Sequence, residues 1–453
     1  MSAEDLAGLG AVGAANDIET PARKRLALLF DEGRYSELGG TGEKGTSKSV
    51  ITAFGMIEGA PAYAFSQDVT IDSGAVGRLQ AQKICKLFEL AVKTGAPIVG
   101  IYDSNGAKAE EGTDVLDAYG QIMRSVGRAS GVVPQIAVVA GVCAGSMAMI
   151  AAGADMLIMS EEGSLFMTPP FVAGDRDGAD AKAAAKAGIA QIVVKDDEGA
   201  FTAARELLSL LPANNISGLP AFEYDLPEGT GEKGAFGTLL SAADANSVTE
   251  LGEGFGGSAR CGFATLCGTP FGFASVDGEL TADGCAKLAR HISLCDCFSV
   301  PVVTFIDSEG FASSVNGIVR DAAKLAYAYS STTTVKLAVV TGSAYGAIYS
   351  ALAGSAANSD MVFVLRGGSI GALRPQTAVE LMYADRISES RSRADVEREY
   401  ASVEAGAEAA VANGAADRVI APEETRTVLA EALDMLAGKR ADPAPRKHAD
   451  LPM

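Results

Sequence analysis

Two short stretches of this chain are built so that main-chain N–H groups, not side chains, could do chemistry. They are Asp103-Ser-Asn-Gly-Ala107 and Gly141-Val-Cys-Ala-Gly-Ser146. Each follows an apolar run that reads as a strand and precedes a helical pattern. At the carboxyl ends of parallel strands such turns carry unpaired N–H donors. Two donors aimed at one point make an oxyanion hole, which stabilises charge growing on a carbonyl oxygen. Small residues suit the task because the substrate must come close to the backbone. The same glycines also suit tight packing of a helix on a sheet, and the residue pattern leaves both readings open. Side-chain chemistry has few candidates. There are two histidines, His291 after the helix-like "CAKLAR" and His448 in a polar tail, which leaves a Ser-His-Asp system almost no candidates. The seven cysteines are scattered and form no C-x-x-C pair, so neither a zinc site nor a disulfide framework is indicated. They read as reduced, mostly buried thiols of a cytoplasmic protein.

At 453 residues the chain calls for two or three domains. Hydrophobic residues make up 48% and charged residues 21%, a globular balance without a disordered bias. A formal net charge of −20 gives no electrostatic footprint for nucleic acid or anionic lipid. An anionic small ligand would need a local basic cluster. Arg23, Lys24, Arg25, Lys44 and Lys48 offer one, although each also reads as part of a solvated helix start. The acidic N-terminus lacks a basic-then-apolar signal pattern, so secretion is not expected. Ile136 to Ala154 runs nineteen residues without a charge, long enough to raise the question of a membrane span. Its centre, Gly-Val-Cys-Ala-Gly-Ser, favours neither lipid nor helix.

The chain is written twice, at an offset of about 200 residues. "LLFDEGRYSELG" at 28–39 resembles "LLSAADANSVTELG" at 239–252, and "FGMIEGAPAYAF" at 54–65 resembles "FATLCGTPFGFA" at 263–274. "GAPIVGIYDSNG" at 95–106 pairs with "SVPVVTFIDSEG" at 299–310, matching Asp103 to Asp307. "IAVVAGVCAGSMAMI" at 136–150 pairs with "LAVVTGSAYGAIYSA" at 337–351, matching Gly145 to Gly346 and Ser146 to Ala347. Each copy reads as a strand hairpin, a helix, a short apolar strand, a second helix, and a strand that turns into a further helix. In the first copy the helix "GRLQAQKICKLFELAVKTG" places Ile84, Leu87, Phe88 and Val92 on one face and stops at Gly95. Continuously apolar strands alternating with helices argue for an α/β fold with a covered parallel sheet. The uncharged run is then a core strand through Val138, Val139 and Ala140, a tight turn, and a buried helix from Met147. Residues 221–237 read as the linker between copies. Residues 174–191 read as a loop followed by an Ala-rich surface helix, and 387–414 as one long charged helix. The Pro-rich tail reads as extended.

The segments 68–112, 262–311, 339–354, 409–426 and "PRKHADLPM" at 445–453 resemble, in order, the biotin-dependent acyl-CoA carboxyltransferases. That resemblance implies a tandem duplication of two crotonase-like domains, each a spiral of ββα units. An acyl-CoA-binding domain is expected over residues 1–225 and a biotin-binding domain over 238–453. The implied activity moves CO₂ between carboxybiotin on a carrier protein and the α-carbon of an acyl-CoA, at a dimer interface. The family's C-A-G-G turn maps to Gly145 and Ser146, whose amides would bind the thioester oxygen. Its A-Y-G-G-A turn maps to Gly346, Ala347 and Ile348, whose amides would hold the biotin ureido oxygen. The G-G-A-R turn maps to Asn105-Gly106-Ala107-Lys108, adding Gly106 and Ala107 to the site. Biotin's own ureido nitrogen would serve as base, which fits a helix "SMAMIAAGA" without the glutamate of crotonase-type hydratases.

Departures from the family pattern fall at Ser146 and Ala347, each in place of a second glycine, and at Ser350, where many members carry Asp. "DSEGFASSVNG" also lacks the family's proline and is short. No A-M-K-M-like biotinylation site and no Cys₄ zinc ribbon occur in the sequence. The resemblance therefore implies biotin on a separate carrier protein, with a biotin carboxylase or a membrane decarboxylase subunit as further partner. A dimer-based homo-oligomer, up to a hexamer, is implied as well, cytoplasmic or peripheral to a membrane through its complex. The alternatives are a non-catalytic structural or regulatory subunit of such a complex, and a biotin-independent hydratase or thioester hydrolase.

Overall fold

The computed structural model describes residues 19–39, 48–169, 172, 174, 179–228, 231–312, 317–441, 445 and 450. Lys44, His448, most of the tail, and parts of the 174–191 and 307–317 segments lie outside the described residues. The chain divides into two compact units, Met1–Gly218 and Leu219–Met453.

In the first unit, helix α1 (Pro21–Leu29) leads to strands β1 (Tyr35–Leu38), β2 (Val50–Ile57) and β3 (Ala60–Gln67). Then come α2 (Arg78–Thr94), β4 (Ile98–Ser104), α3 (Asp114–Ala129), β5 (Gln135–Ala144) and α4 (Ser146–Ala152). The unit closes with β6 (Met156–Ser160), β7 (Ser164–Phe166), α5 (Ala181–Lys186), β8 (Ile192–Val194) and α6 (Asp197–Leu210). The sheet order is β1-β2-β3-β4-β5-β6-β8, with β7 on β5. The pairings β1/β2 and β2/β3 are antiparallel, and all later ones are parallel. The uncharged run is thus β5, a turn and α4. Among the described residues no helix is long and apolar enough to cross a membrane. Every residue of β4 is buried, as a strand covered on both faces requires. Helix α2 buries Ile84, Leu87 and Phe88, each contributing about 1.5–3 kcal/mol of apolar burial. Val92 was expected on that face but is 38% exposed, because the buried stripe runs through Ala91 and turns the next residue towards solvent.

The second unit repeats the plan. Helix α7 (Gly234–Ala242) precedes β9 (Thr249–Leu251), β10 (Ala259–Leu266) and β11 (Thr269–Asp277). Next are α8 (Ala282–Cys297), β12 (Val302–Ser308), α9 (Gly317–Ser331), β13 (Lys336–Tyr345) and α10 (Ala347–Leu352). Strands β14 (Met361–Leu365) and β15 (Ser369–Gly371) follow, with helices α11 (Pro375–Met382), α12 (Arg393–Glu399) and α13 (Ala407–Ala412), then β16 (Arg418–Ile420) and α14 (Thr425–Leu436). The order β9-β10-β11-β12-β13-β14-β16, with β15 on β13, is that of the first sheet strand for strand. This is the duplicated α/β plan expected from the repeat, and it agrees with the tandem crotonase-like fold that the resemblance implies.

Two elements differ from expectation, the first being helix α7, which begins at Gly234 inside the 221–237 stretch read as a linker. The charged stretch 387–414 is not a single helix but α12, a π-helical turn at Tyr400–Glu404, and α13. The break arises because Tyr400 is buried, the Ala405 carbonyl accepts from the Ile370 N–H at 2.8 Å, and Gly406 bridges Ser369 of β15. Tertiary hydrogen bonding to a sheet edge outcompetes continuation of an exposed helix.

His291, on α8, is 4% exposed, lies edge-on to Phe263 and has Cys295 Sγ at 3.6 Å from its Nε2. Burial pushes its pKa down to about 4. The folded protein therefore holds it neutral while the unfolded chain binds a proton below the usual histidine range. Its contribution is intact above pH ~6.5 and is lost as pH falls towards ~4, a change of roughly 3 kcal/mol. Urea midpoints measured between pH 7.5 and 4.5 should fall more steeply for the wild type than for His291→Leu. Parallel slopes would refute this.

Candidate functional site

The site begins at a register shift. Strands β4 and β5 run in step from Ile98↔Gln135 to Tyr102↔Val139. While β4 then advances to Ser104, β5 advances to Cys143. Strands β12 and β13 do the same, with Ile306↔Val340 followed by Ser308↔Ala344. An aspartate sits in each shift. Asp103, 6% exposed, accepts the Val142 N–H at 3.3 Å, and a Cβ added to Gly141 would lie 2.2 Å from its Oδ1. Asp307 accepts the Ser343 N–H at 2.9 Å and the Ser343 hydroxyl at 3.1 Å, and a Cβ added to Gly342 would again lie 2.2 Å from its Oδ1. Only glycine admits a carboxylate so close to the bulged strand.

The two bulges are braced differently. Arg25 of α1, 8% exposed, donates to Asp103 at 2.6 Å, to Asp197 at 2.8 Å and to the Ala140 carbonyl at 3.0 Å. Burial works against its charge, but the hydrogen bonds to Asp197 and Asp103 outweigh it and hold the guanidinium above its ordinary pKa. Arg25 is therefore a brace and not part of a solvated cluster. Arg23 is likewise paired with Glu37 at 2.8 Å.

Beyond each shift the two turns present their amides. In the first, the Gly106 N–H donates to Ser104 Oγ at 3.1 Å and the Lys108 N–H to the Val76 carbonyl at 3.0 Å. The Ala107 N–H between them has no hydrogen-bond partner among the described residues. On the neighbouring strand, the Gly145 N–H donates to the Phe166 carbonyl at 2.8 Å, and the N–H groups of Ser146 and Met147 have no such partner. Ala107 and Ser146 each stand three residues beyond the paired Ser104 and Cys143, so both unengaged donors follow the carboxyl ends of neighbouring parallel strands. In the second unit the Gly310 N–H donates to Ser308 Oγ at 3.4 Å, the Ala312 N–H to Leu280 at 2.9 Å, and the Gly346 N–H to Gly371 at 2.9 Å. The unengaged N–H groups there include those of Phe311, Ala347 and Ile348.

Gly145 and Gly346, expected as donors, thus have their N–H groups committed to β7 and β15. Their role is conformational: φ is +62° with ψ −135° at Gly145, and φ is +54° with ψ −123° at Gly346, a region open to glycine alone. Gly106 is likewise engaged, leaving Ala107 as the donor of its turn. Two further unengaged N–H groups, those of Met147 and Phe311, were not singled out from the residues, and Met147 is fully buried. Phe311 was within reach, since it occupies the place of Ala107 when "DSNGA" is laid on "DSEGF".

The surroundings are plain. Helix α4 carries no ionisable side chain, Ser146 is half-buried, and Ala347 is exposed. Ser350 donates to the Gly346 carbonyl at 3.3 Å, and Lys108 pairs with Asp72 at 2.7 Å. Each cradle can take a carbonyl oxygen and stabilise negative charge on it, with no acid or base supplied by its own helix.

The carboxyl transferase domain family model matches residues 19–451. The chain is 32% identical to the methylmalonyl-CoA decarboxylase subunit alpha of Propionigenium modestum, over 95% of this chain and 93% of that protein. It is 30% identical to the propionyl-CoA carboxylase beta chain of Saccharopolyspora erythraea, over 95% and 90%. Among solved structures it is similar to transcarboxylase 12S, a hexamer with hydrolysed methylmalonyl-coenzyme A bound. The TM-score is 0.89 at 31% identity, covering 96% of this chain and 93% of that one.

Proposed function

The chain belongs to the carboxyl transferase domain family, and on that premise we propose that its two cradles divide one reaction between them. It is a carboxyltransferase subunit that moves a carboxyl group between biotin on a carrier protein and the α-carbon of an acyl-CoA. The observation that supports the division of labour is the repeated register shift, beyond which unengaged N–H donors follow the ends of neighbouring parallel strands in both units. In the first cradle, Ala107 with Ser146 receives the thioester oxygen. Carbanion character at the α-carbon places negative charge on that oxygen, and each amide donor is worth about 10²–10³ in rate.

The second cradle fits a ureido carbonyl. It offers the N–H groups of Phe311, Ala347 and Ile348 to a neutral acceptor, and α10 carries no carboxylate to repel the charge that accumulates there. Biotin, when bound, supplies the transferable carboxyl group and the ureido nitrogen that exchanges the α-proton. The chain's own part is to fix both carbonyl oxygens and to keep acid–base side chains out. A carrier protein, a biotin carboxylase or membrane decarboxylase subunit, and a dimer-based homo-oligomer complete the proposal. A cytoplasmic setting, peripheral to the membrane when the partner is a membrane subunit, belongs to it too.

The test is transfer of label from carboxyl-labelled methylmalonyl-CoA or malonyl-CoA to free biotin by the purified chain, alongside calorimetry with the same thioesters. Transfer supports the reading. Partner binding without any CoA affinity would replace it with a structural subunit, and turnover of an enoyl-CoA without biotin would replace it with a hydratase.

A further inference from the structure

The second cradle has a cation that the backbone chemistry does not use. Arg374 precedes α11, and its guanidinium lies against the backbone of Gly310: a Cβ built there would meet Nη2 at 3.1 Å, Cζ at 3.4 Å and Nε at 3.5 Å. Gly310 immediately precedes Phe311, whose N–H is one of the unengaged donors. The Gly310 carbonyl is held by the Leu280 N–H at 3.0 Å, so the backbone under the guanidinium is fixed. The segment leading to Arg374 crosses the other half of the cradle. The Gly346 N–H is bonded to Gly371, and the Ala372 carbonyl lies 3.1 Å from the Cβ position of Gly346. The guanidinium therefore flanks one donor of the cradle, on a segment tethered to the turn that carries the other donors.

Its partner is Glu279, with Nη1 donating to Oε1 at 3.0 Å. Both side chains are well exposed, 40% and 47%. An ion pair so open to water is weak and readily exchanged for another carboxylate. Elsewhere the neighbourhood is acidic, with Glu279, Glu309 and Asp307 near this turn, in a chain of net charge −20. An anionic group reaching this cradle needs a local cation, and a guanidinium fork matches a carboxylate in two parallel hydrogen bonds. The first unit has Pro169 at the matching distance beyond β7, so no arginine stands at the equivalent position there.

We propose that Arg374 is a specificity-determining residue that receives the carboxylate in transit, displacing Glu279. The inference rests on the carboxyltransferase reading. The transferable carboxylate has two carriers, the acyl-CoA and biotin, and the experiment separates them. In one arm, calorimetry compares methylmalonyl-CoA with propionyl-CoA, which differ by that carboxylate. In the other, the KM for chemically prepared carboxybiotin as donor is compared with the KM for free biotin as acceptor.

Arg374→Gln is expected to weaken the carboxylated member of one pair by about ten- to a hundredfold, leaving the uncarboxylated member unchanged. Arg374→Lys should restore part of the loss, and Glu279→Gln should tighten the carboxylated ligand. A loss in the first arm assigns the carboxylate to the acyl-CoA, and a loss in the second arm assigns it to biotin. Equal behaviour of wild type and Arg374→Gln in both arms overturns the proposal. If the carboxyltransferase reading itself fails, the wild type binds neither thioester, an outcome distinct from a wild type and variant that bind them alike.

Discussion

Asp103→Ala is expected to lower kcat for carboxyl transfer by about 10²–10³-fold and to lower the melting temperature by on the order of 10 °C. The carboxylate does two things at once. It accepts the Val142 N–H inside the register shift, and it shares the buried Arg25 with Asp197. Removing it leaves an N–H without its acceptor and a guanidinium with one carboxylate in place of two. Breaking a buried pair of this kind costs about 3 kcal/mol. The bulge also loses the group that fills it, so β5 can relax towards the regular register and carry Ser146 away from Ala107. Because the N–H donors act on charge that grows during the reaction, the loss should appear in kcat more than in KM. Asp103→Asn keeps an acceptor for Val142 and should recover part of the rate while remaining destabilised. A purely structural role would give Asp103→Ala and Asp103→Asn the same kcat once both are assayed below their melting temperatures.

Gly346→Ala is the second large effect, and it should fall on one half of the reaction. With φ +54° and ψ −123°, this position costs a Cβ about 1–3 kcal/mol of strain, and the new methyl would stand 3.1 Å from the Ala372 carbonyl. The turn can yield only by shifting the bond from the Gly346 N–H to Gly371, which re-aims the amides of Ala347 and Ile348. Carboxylation of free biotin is expected to fall at least a hundredfold, while calorimetric affinity for the acyl-CoA stays within about twofold of wild type. Gly145→Ala makes the reciprocal comparison in the first cradle. The space before Gly145 is open, with Met167 O the nearest atom at 4.0 Å, so strain and not collision decides its cost. Equal losses of biotin carboxylation and acyl-CoA affinity in Gly346→Ala would refute the division between the cradles.

Much of the architecture was legible in the residues. The repeat placed Asp103 on Asp307 and Gly145 on Gly346, and both sheets have the same strand order. Strand and helix periods are local properties, and a duplicated sequence states them twice. The donors were less legible. Gly145 and Gly346 drew attention as amides because glycine marks a turn, yet each N–H is taken by a carbonyl of a short strand that arrives later in the chain. Arg25 read as one basic residue among several near the N-terminus. Only packing against β4, β5 and α6 makes it a buried brace.

The sequence by itself determined the duplicated α/β plan, the uncharged strand-turn-helix at 136–154 and membership of a carboxyltransferase lineage. The first two follow from periodicity, repetition and turn chemistry within a few residues of one another, and the third from resemblance to the family's motifs. The tertiary structure decided which N–H groups are available, how the bulges are braced, where 387–414 breaks, and that Arg374 lies against Gly310. All four depend on hydrogen-bond or ionic partners distant in sequence. A backbone donor is available only when no remote carbonyl has claimed it, and no local pattern records that competition.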